Sequence, residues 1–468
     1  MEELINIDFD ELQEQIETLL SEKKYTSIRN IFLEMNSADI AELMNELPLN
    51  TLPILFRLLP KELAADTFVE MDSDVQTHLI SSFSDNELRD VLDEIYLDDT
   101  VDIIEEMPAN VVKRILANSD ADTRAMINKI LQYPDDSAGS IMTVEYVSLR
   151  KNMTVMDAIN RIRRTGIDKE TIYICYVTDY NRNLLGIVTA KDLLLNETDA
   201  LIGDIMETNI ISVQTQTDKE TVAQMFQKYD FMVMPVVDDE NRLVGIVTVD
   251  DAIDVMEEEA TEDIEKMAAI TPGDKPYFQT GVFETFKHRI PWLMLLMISA
   301  TFTGLIITKF EDALSVSIVL SACIPMLMDT GGNCGGQASV TIIRALSLND
   351  VEFGDIFKIL WKEFRVGIIC GICLAAVNFL KMFLFGIFGW SNLNLQPFTI
   401  LIMVVVSISL FFAVIVAKLV GCTLPLFAEK LGFDPAVMSS PFITTIVDAL
   451  SLLIYSALAL NILNLAGM

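Results

Sequence analysis

The sequence predicts a multi-domain membrane protein in three parts: an all-α superhelical N-domain, an α/β pair of tandem repeats, and an α-helical transmembrane domain of five spans. Three observations predict this. The chain has 468 residues, 51% of them hydrophobic, with a mean hydropathy of +0.39, which is too apolar for an ordinary soluble protein of about three domains. Its acid is segregated: residues 1–265 carry 21 Lys and Arg against 56 Asp and Glu, while residues 266–468 carry twelve of each. Within the acidic half a ten-residue phrase recurs as a near copy, LLGIVTAKDL at 184–193 and LVGIVTVDDA at 243–252.

Residues 1–132 read as helices, because apolar residues recur at three and four, glycine is absent, and prolines fall between segments. DIAELMNELP (39–48) and DTVDIIEEMP (99–108) echo each other and suggest a small stack of helical repeats. Residues 133–256 hold the stronger repeat. Each copy of the phrase follows a β-like run, YICYVTD or MVMPVVDD, and upstream SIM (140–142) matches DIM (204–206). Each unit reads strand, helix, strand, polar turn, strand, helix.

Residues 257–281 continue the last helix and then break it. In DAIDVMEEEATEDIEKM (251–267), Ile253, Met256, Ala260, Ile264 and Met267 make an apolar stripe, and Asp251, Asp254, Glu258, Glu262 and Glu265 an acidic one. TPGDKPYFQTG (271–281) is a linker. From residue 282 onward, charge-poor runs are long enough for a bilayer core of about 30 Å, which takes about 20 residues. They are Ile290–Thr308, Ala313–Ile343 with only Asp329 inside, a run from near Val366, Ser391–Ala417, and Pro435 to the end with only Asp448 inside.

The chain opens MEELINIDFDELQEQ, without a basic region followed by an apolar core, so the first half is expected to stay in the cytoplasm. Lys287, Arg289, Arg344, Lys358, Lys362 and Arg365 fall in segments on that side, against Lys309 and Lys381 on the other, and the C-terminus is expected outside. Five of six cysteines lie in or beside the spans and Cys175 in the cytoplasmic half, so no disulfide framework is expected.

The stretch PMLMDTGGNCGGQ (325–337) puts an acid and four glycines into an apolar run. A phosphate cradle would need a Lys after the glycines and a strand-to-helix setting, and GGNCGG has neither. LMDTGG resembles an aspartic protease signature, and with Asp448 as a second acid it raises a membrane aspartyl protease, although TTIVDALS lacks the GxGD pattern of such enzymes. Ion conduction is the third reading. A carboxylate in hydrocarbon is costly and marks a watery cavity or an ion path, while close glycines let helices approach or unwind; helix packing with Asp329 as a cap is the plainer alternative. Asp448 stands with Thr444 and Thr445 a turn before it and Ser439 and Ser440 earlier, an oxygen-donor wall suited to Mg2+ or Ca2+. With His78 and His288 the only histidines, zinc is not expected.

GxVTxxD, present as Gly186, Thr189, Asp192 and again as Gly245, Thr248, Asp251, resembles the ending of cystathionine-β-synthase-type (CBS) domains. PMLMDTGGNxGGQ, the GFDPA of 432–436 and the TTxxD of 444–448, in this order of domains, resemble the MgtE-type magnesium channel/transporter family across essentially the whole chain. The resemblance implies a homodimer in the cell membrane with one pore between the second and fifth spans. In it Asp448 binds the ion, Thr444 lies adjacent, Asp434 sits near the cytoplasmic mouth, and Asp329, Asn333 and Gln337 line or shape the second span. It also implies regulatory Mg2+ on Asp66, Asp98 and Asp102, on Asp230, Asp251 and Asp254, and on Glu259, Glu262 and Asp263 of a helix that plugs the pore from below. CBS pairs often bind adenine nucleotides, which here implicates Thr189, Asp192, Phe231 and Tyr173 in holding ATP, against a pair that only scaffolds a dimer. No ATP-hydrolysing motif is visible and no enzymatic activity is expected. A CBS-regulated transporter of another divalent cation or solute is the remaining alternative.

Overall fold

The computed structural model describes residues 9–167, 169–273, 277, 280–310, 318–387, 397–438 and 440–465. It divides into two compact units, Met1–Met256 and Glu257–Met468.

The first unit opens with short helices running from Phe9–Ser21 to Ala121–Ile130. Most are eight to ten residues, too short to hold in water alone, so packing sustains them. Alternate helices stack: Ser37–Glu46 on Lys61–Val69, that on Asp85–Leu92, and that on Ala109–Asn118. Phe56, Phe68 and Phe83 cluster at the centre with ring centroids 5.2–6.4 Å apart. The two echoing phrases are structural equivalents. Ile40, Ala41, Leu43, Met44 and Leu47 are buried in one copy, and Thr100, Val101, Ile103, Ile104 and Met107 at the matching positions of the other.

Two three-stranded sheets follow: β1 (Tyr146–Leu149), β2 (Thr171–Thr178) and β3 (Leu184–Thr189), then β4 (Val213–Gln214), β5 (Val233–Val237) and β6 (Leu243–Thr248). In each the first pair is parallel and the second antiparallel. Ile174 pairs with Thr189 and Val177 with Gly186; 59 residues on, Val233 pairs with Thr248 and Val236 with Gly245. The repeats interlock. Thr143, in the lead-in to the first sheet, bridges Ile246 of the second, and Glu207, in the lead-in to the second, bridges Ile187 of the first. A Cβ on Gly245 would meet Met142 Sδ and the Thr143 carbonyl oxygen, both at 2.7 Å, and one on Gly186 would meet Met206 Sδ at 2.8 Å and the Glu207 carbonyl oxygen at 2.9 Å, so the lead-in segments, methionine and backbone together, explain why the motif needs glycine.

The second unit is helical, and four of its helices are long and apolar enough to cross a membrane: Val282–Lys309, Phe353–Ile387, Ile400–Lys430 and Pro441–Ile462, with mean hydropathies of 2.0, 2.2, 3.1 and 1.9. Among the described residues these account for four of the five expected spans. The stretch expected as the second span forms a 30-residue helix, Ile318–Ser347, about 45 Å long at 1.5 Å per residue, but Asp329, Asn333, Gln337 and its glycines keep it off the apolar count. Of its expected start and that of the fourth span, residues 313–317 and 391–396 lie outside the described residues, as does much of the linker.

The expected end of the fourth span at Ala417 is also displaced, because helix Pro397–Lys430 runs straight through Lys418. That lysine is 6% exposed, with its Nζ 3.8 Å from Glu363 Oε2 on helix Ile356–Ile387, so a buried partner replaces the water that a lone charge would seek. Pro397–Lys430 is the hub of the bundle, packing on Ile318–Ser347, Ile356–Ile387 and Ser440–Leu465.

Candidate ion path and acidic cleft

The membrane unit's one acid in its last helix has an unmet demand. Asp448 is half-buried on Ser440–Leu465, and its Oδ1 is buried without a hydrogen-bond partner among the described residues. Thr444 lies one turn earlier, and the like charge that bears on Asp448 is that of Asp329. The two acids thus lie near enough for their charges to interact, on the two helices carrying the sequence motifs. Glycine permits this approach: a Cβ on Gly332 would sit 2.6 Å from Thr444 Cγ2, and one on Gly421 of the hub helix would run into Gly335 O. Ser439 and the side chain of Ser440 lie outside the described residues.

Asp329, Asn333 and Gln337, spaced by four, form one stripe on Ile318–Ser347, and all three are exposed while Gly331, Gly332, Gly335 and Gly336 beside them are buried. The helix therefore turns its glycines to its own chain and its polar stripe away from it. A separate apolar pocket of about 320 Å³ opens between Val282–Lys309 and Ser440–Leu465, lined by Leu295, Phe302, Ile446 and Leu450 among others, and contains no carboxylate.

Asp434 is placed differently from Asp448. It caps the 3-10 turn Pro435–Val437, its Oδ1 accepting from Ala436 N at 2.7 Å, and its Oδ2 lies 2.6 Å from Lys266 Nζ. Lys266 also contacts Glu262, and Ser347 Oγ donates to Asp263 Oδ2 at 3.4 Å. Burial opposes the charge on Lys266, yet its hydrogen bonds to Asp434 and Glu262 outweigh that and raise its pKa.

In the first unit a polar cleft of about 270 Å³ gathers Asp66, Glu70, Glu94, Asp98, Asp99, Glu170, Asp250 and Asp251. Burial comes first and mutual repulsion second in pushing these acids up: Asp98 well above the carboxylate range, Asp99 to about 7, Glu170 to about 8 and Asp66 upward. Asp251 rises to about 6, burial again leading, and is held back by the Thr248 hydroxyl donating to its Oδ2 at 2.5 Å. Even so, among the described residues no three His, Cys, Asp or Glu side chains converge closely enough to hold a metal ion, so the cleft is a concentration of charge rather than a preformed cage.

Of the expected regulatory acids, the cleft brings together Asp66, Asp98 and Asp251. Asp102 and Asp254 are exposed and do not line it, and Glu259 is half-buried. Asp230 is exposed in the left-handed conformation (φ 53°) that ends helix Lys219–Tyr229. The nucleotide set is dispersed in role. Thr189 and Asp192 close a capping box, Thr189 Oγ1 donating to Asp192 Oδ2 at 2.6 Å; Tyr173 is 66% exposed; Phe231 stacks on Tyr229 with centroids 5.4 Å apart. The GxVTxxD repeat thus has a structural cause, because Thr248 and Asp251 repeat the same Thr–Asp contact.

Sequence reasoning missed Glu70, Glu94, Asp99, Glu170 and Asp250 in the cleft, together with Lys266 and the Lys418–Glu363 pair. The doubled acid of VTVDD carried a signal for Asp250, whereas Glu170 reaches the cleft only through tertiary folding.

An acidic helical stack, a tandem α/β pair and an apolar bundle with an isolated carboxylate define a multi-pass membrane protein with a large soluble half. Residues 324–458 match the family model described as MgtE divalent cation transporter, residues 35–136 the MgtE intracellular N domain, and residues 138–197 and 202–258 the CBS domain. The chain is 36% identical over 454 residues to the magnesium transporter MgtE of Thermus thermophilus, covering 96% of this chain and 98% of that one. It is 33% identical over 458 residues to the magnesium transporter MgtE of Bacillus subtilis, covering 97% and 98%. Among solved structures it resembles the soluble part of a magnesium transporter, at TM-score 0.50 and 31% identity, over 54% of this chain and 100% of that one. The chain belongs to the MgtE family.

Proposed function

We propose that this protein is a homodimeric Mg2+ channel of the cell membrane, admitting Mg2+ into the cytoplasm and closed by cytosolic Mg2+ bound among its acidic soluble domains. The observation that carries the conducting part is Asp448: a carboxylate in a membrane helix with a buried oxygen that finds no partner among the described residues is a site waiting for a cation. Hard oxygen donors and few direct ligands suit an ion that keeps most of its water, which favours Mg2+ over softer metals. The exposed stripe of Asp329, Asn333 and Gln337 supports a pore completed by a second subunit, since one chain leaves it uncovered. Ile318–Ser347 then serves as the fifth span, its polar face turned to the pore rather than to lipid.

Passive entry is sufficient. A divalent cation gains about 4.6 kcal/mol per 100 mV, from roughly 2.3 per charge. The soluble half acts as the brake: divalent cations among Asp66, Asp98, Asp251 and their neighbours exchange repulsion for attraction, and ions that bind one state better stabilise it. With no chelating cage among the described residues, such ions would bind largely hydrated or on closure of the cleft. In this reading the first half and the inner ends of the spans face the cytoplasm, the C-terminus lies outside, and adenine nucleotide at the CBS pair is a modulator near Thr189, Asp192, Phe231 and Tyr173.

The test is Mg2+ flux into liposomes. Wild-type protein conducts and Asp448→Ala does not; Asp448→Ala conducting like wild type would overturn the pore assignment. Truncation before Thr271 removes inhibition by Mg2+ on the soluble side; inhibition that survives it overturns the brake.

A further inference from the structure

The acids at Asp434 already have a cation, and it is the chain's own. Lys266 is the only basic residue in helix Val249–Met267 and lies in its last turn. Its Nζ is 2.6 Å from Asp434 Oδ2 and also contacts Glu262 Oε1, one turn back on the same helix. Asp434's other oxygen is engaged by Ala436 N, so the lysine takes the oxygen that remains. Asp263 feels the charges of both Asp434 and Lys266. Two carboxylates therefore share one ammonium, with a third close enough to feel it, and the lysine side chain is 24% exposed. An ammonium on a flexible four-carbon stem is a point charge that can swing away, and a divalent cation seeks the same carboxylate oxygens. The two cations cannot both sit at bonding distance from one oxygen without repelling each other.

We propose that Lys266 is a tethered counter-ion, docking the end of the acidic helix on Asp434 when divalent cation is scarce and competing with that cation for the same oxygens. The inference rests on the reading of the protein as one that handles divalent cations. It adds a residue that sets the ion concentration at which the contact is exchanged, because Mg2+ must displace the lysine to reach Asp434.

The experiment uses full-length protein in nanodiscs with Mn2+ as the probe, the free ion being followed by electron paramagnetic resonance. Lys266→Gln removes the competing charge while leaving a shorter polar side chain, and the affinity for one Mn2+ per chain is expected to rise about three- to tenfold. Lys266→Arg keeps the charge and should stay within about twofold of wild type. Adding Asp434→Asn to Lys266→Gln should erase the gain. Unchanged or weaker binding in Lys266→Gln, an Arg variant that behaves like Gln, or a gain that survives Asp434→Asn overturns the tethered counter-ion while leaving the channel reading intact. Protein that binds no Mn2+ in any form overturns both.

Discussion

The acidic cleft of the soluble unit and the carboxylate of the membrane unit use one chemical group in opposite ways. In the cleft eight acids crowd together, and burial with mutual repulsion raises the pKa of several into the physiological range. In the membrane unit Asp448 stands nearly alone, with one buried oxygen and no partner among the described residues. Crowding makes a device that changes its state with the surrounding cations, because each added charge relieves several repulsions at once. Isolation makes a device that holds one cation at a time and lets it go, because nothing else is there to hold it.

The largest effects should therefore come from the isolated acid. Asp448→Asn keeps size and removes charge; loss of about 3 kcal/mol of ion binding corresponds to at least about a 100-fold drop in Mg2+ flux into liposomes. The equivalent change in the cleft should act with the opposite sign. Asp251→Asn removes a repelling charge, so in EDTA it should stabilise helix Leu97–Glu106 by on the order of 1–2 kcal/mol, read as slower hydrogen exchange by mass spectrometry. Mg2+ should then protect that helix less than it does in wild type. Slower flux with Asp251→Asn but no change in exchange would break the contrast between the two regions.

The two regions also differed in how much of them could be read from sequence. Local patterns were legible: the buried positions of DIAELMNELP and DTVDIIEEMP coincide, and the phrase repeated at 59 residues becomes two sheets in the same register. Asp448 was legible because hydrocarbon makes any charge conspicuous. What sequence hid was pairing over distance. Lys418 looked like the end of a span because its partner Glu363 lies 55 positions away, on another helix. Glu170 carried no signal in sequence because only the fold brings it to Asp98 and Asp251. The lead-in methionines resembled each other long before it was visible that each packs on the other repeat's glycine.

Acidity sharpens the same comparison with a smaller effect. Acids whose pKa is raised in the folded state bind protons there that the unfolded chain does not take up until about pH 4. Between pH 8 and 6 the folded soluble unit therefore gains protons relative to the unfolded one, and its stability rises as pH falls. In EDTA, hydrogen exchange of Leu97–Glu106, corrected for intrinsic rates, should slow by about tenfold over that window for each unit of pKa shift that titrates within it. Saturating Mg2+ should flatten the dependence, since cation and proton relieve the same repulsion. A profile that rises with pH instead would mean that the cleft acids are paired in solution.

The smallest effect separates two copies of one motif inside the soluble unit. Thr189 and Thr248 each donate a hydroxyl to the aspartate three residues on, Asp192 at 2.6 Å and Asp251 at 2.5 Å. Losing a helix cap costs about 1 kcal/mol, so Thr189→Ala and Thr248→Ala begin equal. They part because Asp192 lies outside the acidic cleft and Asp251 within it. The Thr248 hydroxyl favours the charged form of Asp251, and without it that charge is left with its repelling neighbours, so Thr248→Ala should cost more by a few tenths of a kcal/mol at pH 8 in EDTA. The excess should vanish at pH 5.5, where Asp251 is largely protonated, and again in saturating Mg2+. Equal costs under all three conditions would show that the repeated Thr–Asp pair is a helix cap in both copies and nothing more, which would remove Asp251 from the cation-sensing set while leaving the fold as it is.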